Sequence, residues 1–360
     1  MGHNDFLDAL DSQPPGRAPQ APPRLPPSHP PLLLVVIDTE EEFDWSLPHA
    51  RENTSVRAIS AQGQAQEIFR RHGLVPTYVI DYPVAASPAA VATLKGFADR
   101  GECRIGAHLH PWVNPPHEEA VNARNSYPGN LPEALERAKL ETLTAAIAEG
   151  FGSRPVVYKA GRYGVGPATA GILEDLGYLV DASVVPYTSF TGDGGPDFSR
   201  AGFQPSWFGR AGNLLELPLS CGFHGALRAL GPALFPKLSG PAGMRLRLPG
   251  VFARSGLLER IRLTPEGVDL AANIRLARSL YEQGCRIFSF TYHSPSLVPG
   301  MTPYVASERE LEGFLETMDR FFTFFREDLG GRPSEPMEVY RLLQNGSAPG
   351  IARAAAPAGG

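Results

Sequence analysis

The chain has 360 residues, of which 42% are hydrophobic and 20% charged, and its formal net charge is −5. This length and composition suit one large α/β domain with a substantial core, and the slight acidic excess gives no electrostatic basis for binding nucleic acid. Three widely separated cysteines, Cys103, Cys221 and Cys285, lack the spacing of a disulfide framework or a thiolate metal site and indicate reduced, buried thiols.

The first 31 residues have little to bury. The opening MGHNDFLDAL lacks the basic and apolar regions of a signal peptide, and the apolar run 32–37 is too short to span a bilayer. We therefore expect a cytoplasmic protein without a membrane span. Residues 13–31 are dense in proline, so segment 1–31 is predicted to be a disordered leader.

Strand-like and helical runs alternate through residues 32–330. Short apolar, β-branched runs predict strands at 32–38, 75–81, 103–108, 155–160, 178–184, 214–220 and 286–293. Apolar residues at helical spacing predict helices near 56–72, 88–100, 132–149, 167–176, 268–283 and 308–325. Seven strand–helix units favour a single-domain α/β fold with a parallel sheet closed, or nearly closed, into a (β/α)7 barrel. An open doubly wound sheet is the alternative.

Two segments depart from this alternation. Residues 221–265 are rich in Gly, Pro, Arg and Leu, and we interpret them as an insertion. It could cover the barrel mouth, contact a partner, or have neither role. Residues 331–360 form a C-terminal extension that is predicted to be disordered from about residue 347.

Polar residues follow several predicted strands at the point where each strand ends. Asp38 and Glu40 follow the first strand, and alternate residues of an extended chain point to the same side. Two carboxylates so placed repel each other unless a cation lies between them. The following Glu41 and Glu42 are interpreted as residues of a solvated acidic loop.

Histidines follow two other strands. His108 and His110 form an HxH pair whose imidazoles share one side of the extended chain, a spacing suited to a single metal ion. Together with a carboxylate they would leave coordination positions open for water and substrate. His293 ends the last strand and is a candidate general acid, because histidine titrates near neutral pH.

Five segments in order resemble the NodB-type polysaccharide deacetylases, carbohydrate esterase family four, and more closely their WalW-like branch. The segments are VVIDTEEEFDW, IGAHLHPWVNPP, NSYPGNLP, YKAGRYGVG and LVDASVVP, and the resemblance spans about residues 32–325. It implies a distorted (β/α)7 barrel. It also implies a metal-dependent hydrolase that removes N-acetyl groups from a sugar, in the biosynthesis of a surface polysaccharide.

The resemblance also implies roles for individual residues. Glu40 would bind a divalent metal, with zinc the expected ion, together with His108 and His110. The usual second histidine of the His-x-x-x-His motif is a tryptophan here, so His110 substitutes for it, and His117 and Asn114 are the alternatives.

The remaining roles concern acid–base chemistry. Asp38 would be the catalytic base and Arg162 its ion-pair partner, while Asp181 would orient the catalytic acid His293. The expected partner is an N-acetylated sugar or glycan, and the sequence predicts no oligomeric state.

Three alternatives stay open. A C–N hydrolase acting on a non-sugar amide, such as an allantoinase-like enzyme, would use the same fold. A metal-dependent amidohydrolase barrel also uses HxH, but there the motif follows the first strand, whereas here it follows the third. The altered histidine motif also leaves a catalytically inactive barrel that binds a glycan or a partner protein.

Overall fold

The computed structural model describes residues 23–346 of the chain. The predictions of disorder for residues 1–22 and 347–360 lie outside the described residues. Within residues 23–346, no helix has the length and apolar character needed to cross a membrane. Cys103, Cys221 and Cys285 are free and buried, which confirms their interpretation as core thiols.

Thirteen strands and eleven α-helices make up the described part of the chain. The strands are β1 (Leu32–Thr39), β2 (Thr77–Ile80), β3 (Arg104–Leu109), β4 (Val157–Ala160), β5 (Val180–Asp181), β6 (Thr188–Ser189), β7 (Asp197–Phe198), β8 (Ser206–Phe208), β9 (Leu214–Glu216), β10 (Cys221–His224), β11 (Glu259–Arg262), β12 (Ile287–His293) and β13 (Arg332–Pro333). The helices are α1 (Gln62–Arg71), α2 (Tyr82–Ala86), α3 (Pro88–Asp99), α4 (Glu133–Phe151), α5 (Thr169–Asp175), α6 (Gly231–Leu238), α7 (Pro241–Arg245), α8 (Leu248–Arg254), α9 (Leu270–Glu282), α10 (Glu308–Glu327) and α11 (Pro336–Gly346).

One curled sheet organises the molecule. Its strand order is β12-β1-β2-β3-β4-β5-β9-β8, and β13 pairs with β1. The seven strands from β12 to β9 run parallel and coincide with the seven predicted strands, whereas β8 pairs antiparallel at the edge. The predicted α/β architecture of a distorted (β/α)7 barrel is therefore confirmed.

Alternate residues of the strands face two different cores. In β1, Leu33, Val35 and Ile37 pack against the surrounding helices. The residues between them belong to an interior cluster to which β2, β4, β5 and β9 also contribute. Because the period of a strand is two residues, Asp38 continues the interior row and projects from its upper end. Gly106 lies on the corresponding row of β3, where an added Cβ would come within 2.8 Å of Val157 O and Val79 Cγ1.

The C-terminal segment closes the other end of this interior. Val339, Tyr340 and Leu343 of α11 belong to the interior cluster, so residues up to 346 are part of the core. The leader prediction is wrong for residues 23–31, because Leu25 packs against the same cluster and Pro27 O accepts hydrogen bonds from the Arg286 guanidinium at 3.1–3.2 Å.

The segment 221–265 forms an antiparallel hairpin, β10–β11, which carries helices α6 to α8 between its strands. These helices have a small core of their own, centred on Phe223, Leu238 and Leu258. Beyond the hairpin, Leu263 N donates to Ser220 O at 2.9 Å and Leu263 O accepts from Thr291 N at 3.3 Å. The segment therefore bridges the gap between β9 and β12.

A pair of buried acids lies on the helix-facing side of β5 and β9. Asp181 and Glu216 are register neighbours on adjacent strands. Ser183 Oγ donates to Asp181 Oδ1 at 2.5 Å, and Val184 N donates to Glu216 Oε1 at 3.0 Å. Burial raises the pKa of Asp181 to about 6, and burial together with the Asp181 charge raises the pKa of Glu216 well above its usual range. The pair therefore retains a proton near neutral pH.

Leu343→Ala should lower the free energy of unfolding by about 2–5 kcal/mol, because it opens a cavity where α11 closes the sheet interior. Gln344→Ala, an exposed neighbour on the same helix, is the matched control and should change stability little. Denaturant unfolding of both variants measures the difference. Equal stabilities would show that α11 is not part of the folding unit.

We compare the free energy of unfolding of Glu216→Gln with that of the wild type. The variant should gain stability relative to the wild type as the pH rises from 5 to 8. A carboxyl whose folded-state pKa is raised stabilises the fold fully below its unfolded pKa, and this contribution is lost as the pH rises through the folded-state pKa. The glutamine of the variant needs no such proton. The difference in unfolding free energy between variant and wild type should therefore grow by about 1.4 kcal/mol per pH unit between the unfolded-state and the folded-state pKa of Glu216. Urea unfolding at pH 5 and pH 8 measures it, with the exposed Glu141→Gln as a control whose difference should not vary with pH.

Candidate metal and catalytic site

A cavity of about 530 Å³ opens at the carboxyl ends of the parallel strands. Six of the polar residues predicted from the sequence line it, namely Asp38, Glu40, His108, His110, Arg162 and His293. They arrive from β1, β3, β4 and β12 or from the residues just beyond them. In the sheet, Asp38 lies directly opposite His293, which brings the predicted base and the predicted acid together.

The predicted metal ligands converge. One ligand atom from each of Glu40, His108 and His110 lies within 4.8 Å of the others. Both histidine Nε2 atoms are 3.5 Å from Glu40 Oε2, which exceeds the distance of a good hydrogen bond. All three side chains are buried, at 2–3% exposure.

The Nδ1 atom of each imidazole already has a hydrogen-bond partner. His108 Nδ1 is 2.8 Å from the carbonyl oxygen of Lys159, which can only accept a hydrogen bond, so Nδ1 carries the proton. His110 Nδ1 is 2.7 Å from Glu41 Oε2. Both contacts leave the Nε2 lone pairs facing Glu40, an arrangement typical of histidines that bind a metal.

The residues present fit a divalent cation. Glu40 Oε1 is buried and has no hydrogen-bond partner among the described residues. Burial lowers the pKa of His108 to about 3 and that of His110 to about 4, so both are neutral, as metal ligands must be. Burial and the neighbouring carboxylates raise the pKa of Glu40 well above its usual range, and a bound cation would reverse that repulsion.

Asp38 has a different environment. Its Oδ1 is 2.5 Å from Lys159 Nζ, and its Oδ2 is 3.5 Å from His293 Nε2. Burial opposes ionisation of Asp38, but the Lys159 ammonium, together with His293, outweighs burial and lowers the pKa of the carboxyl. Asp38 is therefore an ionised carboxylate held by a lysine.

Arg162, the predicted partner of Asp38, is engaged elsewhere. Its guanidinium lies 4.1 Å from the Tyr127 ring centroid, donates to Ser126 Oγ at 2.6 Å and pairs with Asp193. The predicted Arg162–Asp38 ion pair is therefore wrong. The physical reason is strand alternation, because Lys159 lies on the interior row of β4 beside His108, whereas Arg162 follows the strand in a turn with φ 53°.

The predicted role of Asp181 is also wrong. Glu266 occupies the position expected for it, since Glu266 Oε2 is 2.8 Å from His293 Nδ1 and Glu266 Oε1 accepts from His293 N at 3.0 Å. Burial alone would lower the pKa of His293, but the Glu266 carboxylate reverses this and raises it. Asp181 lies on the other side of the sheet with Glu216, because Val180 fills the interior position of β5.

Glu41 is not the solvated residue that the sequence suggested. It is fully buried, where its Oε1 accepts from Trp112 Nε1 at 2.7 Å and its Oε2 contacts His110. Burial raises its pKa to about 7. Glu42, in contrast, contacts Ser55 and the backbone N of Ala58, away from the metal ligands.

The alternative ligands lie outside the cluster. His117 is exposed, and the amide nitrogen of Asn114 donates to Lys139 O at 2.9 Å. Asp81, a further acid at the end of a strand, caps α2 by accepting from Val84 N at 2.8 Å and also accepts from Glu41 N at 2.7 Å. Its carboxylate therefore holds the loop that carries Glu40.

Sequence reasoning missed three residues of the site, Lys159, Glu266 and Glu41. Lys159 had a detectable signal, because a lysine at an interior position of a predicted strand needs a buried anion. Glu266 follows the irregular segment 221–265, where no periodicity indicates which way a side chain points. Glu41 was missed because it belongs to a run of acidic residues in the sequence, and such a run usually lies in solvent.

Comparison with known proteins gives a likeness of fold. No family model and no curated protein matches the sequence. A candidate polysaccharide deacetylase from Mycobacterium smegmatis matches with a TM-score of 0.53 and 15% identity, over 94% of this chain and 99% of that one.

Two more distant solved structures match less well. A carbohydrate esterase family 4 pseudoenzyme from Bacillus anthracis has a TM-score of 0.43 and 9% identity, over 88% of this chain and 70% of that one. A peptidoglycan N-acetylglucosamine deacetylase has a TM-score of 0.41 and 10% identity, over 86% and 88%. At these identities the likeness concerns the fold, and the chain shares its fold with the Mycobacterium smegmatis protein over nearly its whole length.

Proposed function

We propose that this protein is a metal-dependent hydrolase that removes N-acetyl groups from a sugar. One observation carries the proposal: the Glu40–His108–His110 cluster and the Asp38–His293 pair face the same cavity. A hydrolase of an amide needs an electrophilic centre, a base and an acid within reach of one bond. The resemblance of the motifs and the shared fold favour the deacetylase among such hydrolases.

Glu40, His108 and His110 would hold the metal ion, for which zinc is expected from histidine and carboxylate ligands. When bound, such an ion lowers the pKa of water and polarises an acyl carbonyl. Glu41 fixes the His110 ring through Nδ1, and the Lys159 carbonyl does the same for His108.

Asp38 would act as the general base. The Lys159 ammonium, 2.5 Å away, keeps its carboxyl ionised and ready to accept a proton from the attacking water. His293 would donate a proton to the departing sugar amine. Glu266 holds Nδ1 of that ring, so Nε2, which faces Asp38 and the cavity, is the nitrogen that exchanges the proton.

Aromatic rings beside His293 support a sugar substrate. The Trp45 ring lies 5.0 Å from the His293 ring and 5.6 Å from the Tyr304 ring, and both aromatic residues line the cavity. Such rings combine an apolar face with a polar edge, which suits the mixed surface of a pyranose. A role in surface-polysaccharide biosynthesis and a cytoplasmic location remain predictions from the sequence.

Retained acid–base groups argue against the inactive-barrel alternative. A purely binding protein has no need to bury Asp38 against a lysine or to align His293 with Glu266. The non-sugar amide alternative is tested by comparing acetate release from N-acetylated sugars with hydrolysis of cyclic ureides and simple amides.

His110→Ala should lower the bound metal and abolish acetate release, because it removes one of three converging ligands. His117→Ala, an exposed histidine seven residues away, should retain both. Elemental analysis of the purified variants gives metal content independently of activity. Full metal in His110→Ala would mean that the HxH pair does not form the site.

Glu41→Gln should weaken metal binding by about 10–100-fold, the usual effect of losing a hydrogen-bond partner of a ligating histidine. Glu42→Gln is the matched control, because the neighbouring side chain turns away from the ligands. Competition against a metal chelator measures both affinities. If the two variants bind equally tightly, Glu41 has no influence on the metal.

Asp38→Asn should bind metal nearly as the wild type does and lose about 10²–10⁴-fold in turnover, because an amide cannot accept the proton. Asp44→Asn, which removes an exposed acid six residues later, should keep normal turnover. Metal content and acetate release are measured on the same preparations. Loss of metal from Asp38→Asn would make Asp38 a ligand, and retained turnover would exclude it as the base.

A further inference from the structure

A second cation faces the cavity without an ion-paired carboxylate in the part of the chain that the structure describes. Arg262 ends β11 and lines the same cavity as the metal ligands. Its neighbours Ile261 and Leu263 are buried, and its register partner Cys221 on β10 is buried too. The backbone at Arg262 is therefore fixed by packing on both sides.

Two other cations near this cavity form ion pairs, whereas Arg262 forms none with the described residues. Lys159 pairs with Asp38, and Arg162 pairs with Asp193. No carboxylate among residues 23–346 forms an ion pair with Arg262, whose hydrogen bond to Tyr163 Oη is long, at 3.4 Å. A half-buried guanidinium without an anion destabilises the fold, because its charge is partly desolvated and unpaired. We therefore expect a ligand to supply the anion.

Tyr163 connects this cation to the reacting end of the cavity. Its ring centroid lies 5.3 Å from Lys159 Nζ, the ammonium that holds Asp38, while its hydroxyl faces Arg262. Tyr163 and the preceding Arg162 both have positive φ, 59° and 53°, an uncommon backbone for residues other than glycine. Backbone conformations of this kind cluster at active sites and ligand-binding sites. Tyr163 thus lies between Arg262 and the Lys159–Asp38 ion pair.

We propose that Arg262 binds a carboxylate or phosphate substituent of the N-acetylated sugar and so selects an anionic substrate. This inference rests on the proposed deacetylase function. A planar guanidinium forms paired hydrogen bonds with either anion. A neutral sugar in the same place would leave the guanidinium without a partner, and this difference discriminates between substrates.

Calorimetric binding to the metal-loaded protein tests the site without requiring turnover. The probes are N-acetylglucosamine 1-phosphate, N-acetylmuramic acid, which carries a carboxylate, and the neutral methyl N-acetylglucosaminide. The wild type should bind at least one anionic probe more tightly than the neutral one. Arg262→Gln should weaken that binding by about 10–100-fold, Arg262→Lys should restore part of it, and the exposed control Arg309→Gln should not change it.

The outcomes separate this inference from the proposed function. The phosphate and carboxylate probes identify which anion is preferred. Equal binding of all three probes, or anion binding that survives Arg262→Gln, would overturn the role of Arg262. Acetate release with no preference for anionic sugars would also overturn it while leaving the deacetylase intact. Arg262-dependent binding without hydrolysis of any probe or N-acetylated oligosaccharide would count against the deacetylase alone.

A different observation concerns the outer surface of the segment 225–258. It carries five of the six large hydrophobic residues that are exposed among the described residues, the sixth being Leu47. They lie on or beside helices α6 to α8, and their exposures are Leu230 57%, Met244 58%, Leu246 66%, Val251 52% and Leu257 38%.

The charges of this segment have one sign. Between residues 225 and 258 there are five basic residues and no acidic residue, although the whole chain carries −5. The basic residues are Arg228, Lys237, Arg245, Arg247 and Arg254. The inward face of the segment already packs on its own small core, so the exposed aliphatic side chains are not needed to hold the helices together. All five basic residues are exposed, and exposed basic and aliphatic residues interleaved along one segment are typical of segments that lie at a bilayer interface.

We infer that this surface docks on a membrane containing anionic lipids. Charge complementarity selects this occupant, because a bilayer surface offers one sign of charge over a wide area together with an apolar interior for Met244 and Leu246. A second copy would bring the same positive charges face to face, which opposes self-association through this surface.

Sedimentation with vesicles tests the docking surface. The full chain should bind vesicles of phosphatidylglycerol and phosphatidylcholine, bind pure phosphatidylcholine far less, and lose binding as salt increases. The double substitution Met244→Glu and Leu246→Glu should reduce binding at least tenfold. The matched control is Leu47→Glu, an exposed hydrophobic position outside the segment, and it should bind as the wild type does.

Three results would overturn the membrane proposal. One is the absence of binding to anionic vesicles. Another is an equal loss of binding in the Leu47→Glu control. The third is a dimer in sedimentation velocity that the double substitution dissociates, because the surface would then be an interface between two copies of the chain.

Discussion

The interior row changes from aliphatic to charged between successive interior residues of β1 and β4, and the rest of the site depends on this change. Val36 is followed on the interior row by Asp38, and Val157 by Lys159. A charge placed there is out of reach of bulk water, so it must be neutralised by another group of the protein or by a ligand. The ion pairs at the end of the barrel are the consequence, and they determine which groups are left free to react.

Neutralisation gives the two carboxylates of the first strand different properties. Asp38 has a lysine beside it and stays ionised, whereas among residues 23–346 Glu40 is surrounded by histidines and other carboxylates and has one oxygen without a hydrogen-bond partner. Two acids two residues apart therefore acquire different roles from their neighbours, as in other sites where the environment sets the pKa. The same reasoning singles out Arg262, a cation at the cavity that forms no ion pair with a carboxylate among residues 23–346.

The ends of the chain contribute to this arrangement indirectly. Helix α11 closes the interior from the amino ends of the strands, and residues 25–27 contact the same region. The segment 221–265 bridges the opening between β9 and β12 through Leu263 and then carries the chain to Glu266, the partner of His293. A part of the chain without periodic sequence thus completes both the wall of the barrel and the acid of the site.

The sequence by itself determined the seven parallel strands, the helices between them and six of the polar residues that line the cavity. Those features depend on local periodicity and on where the strands end, and both can be recognised from short stretches of consecutive residues. Only the tertiary structure decided the partners. Lys159 rather than Arg162 holds Asp38, Glu266 rather than Asp181 holds His293, and Glu41 is buried beside His110. Partner choice depends on which faces of distant strands meet across the sheet, and that information lies in packing between segments 27 to 121 residues apart rather than in the local pattern.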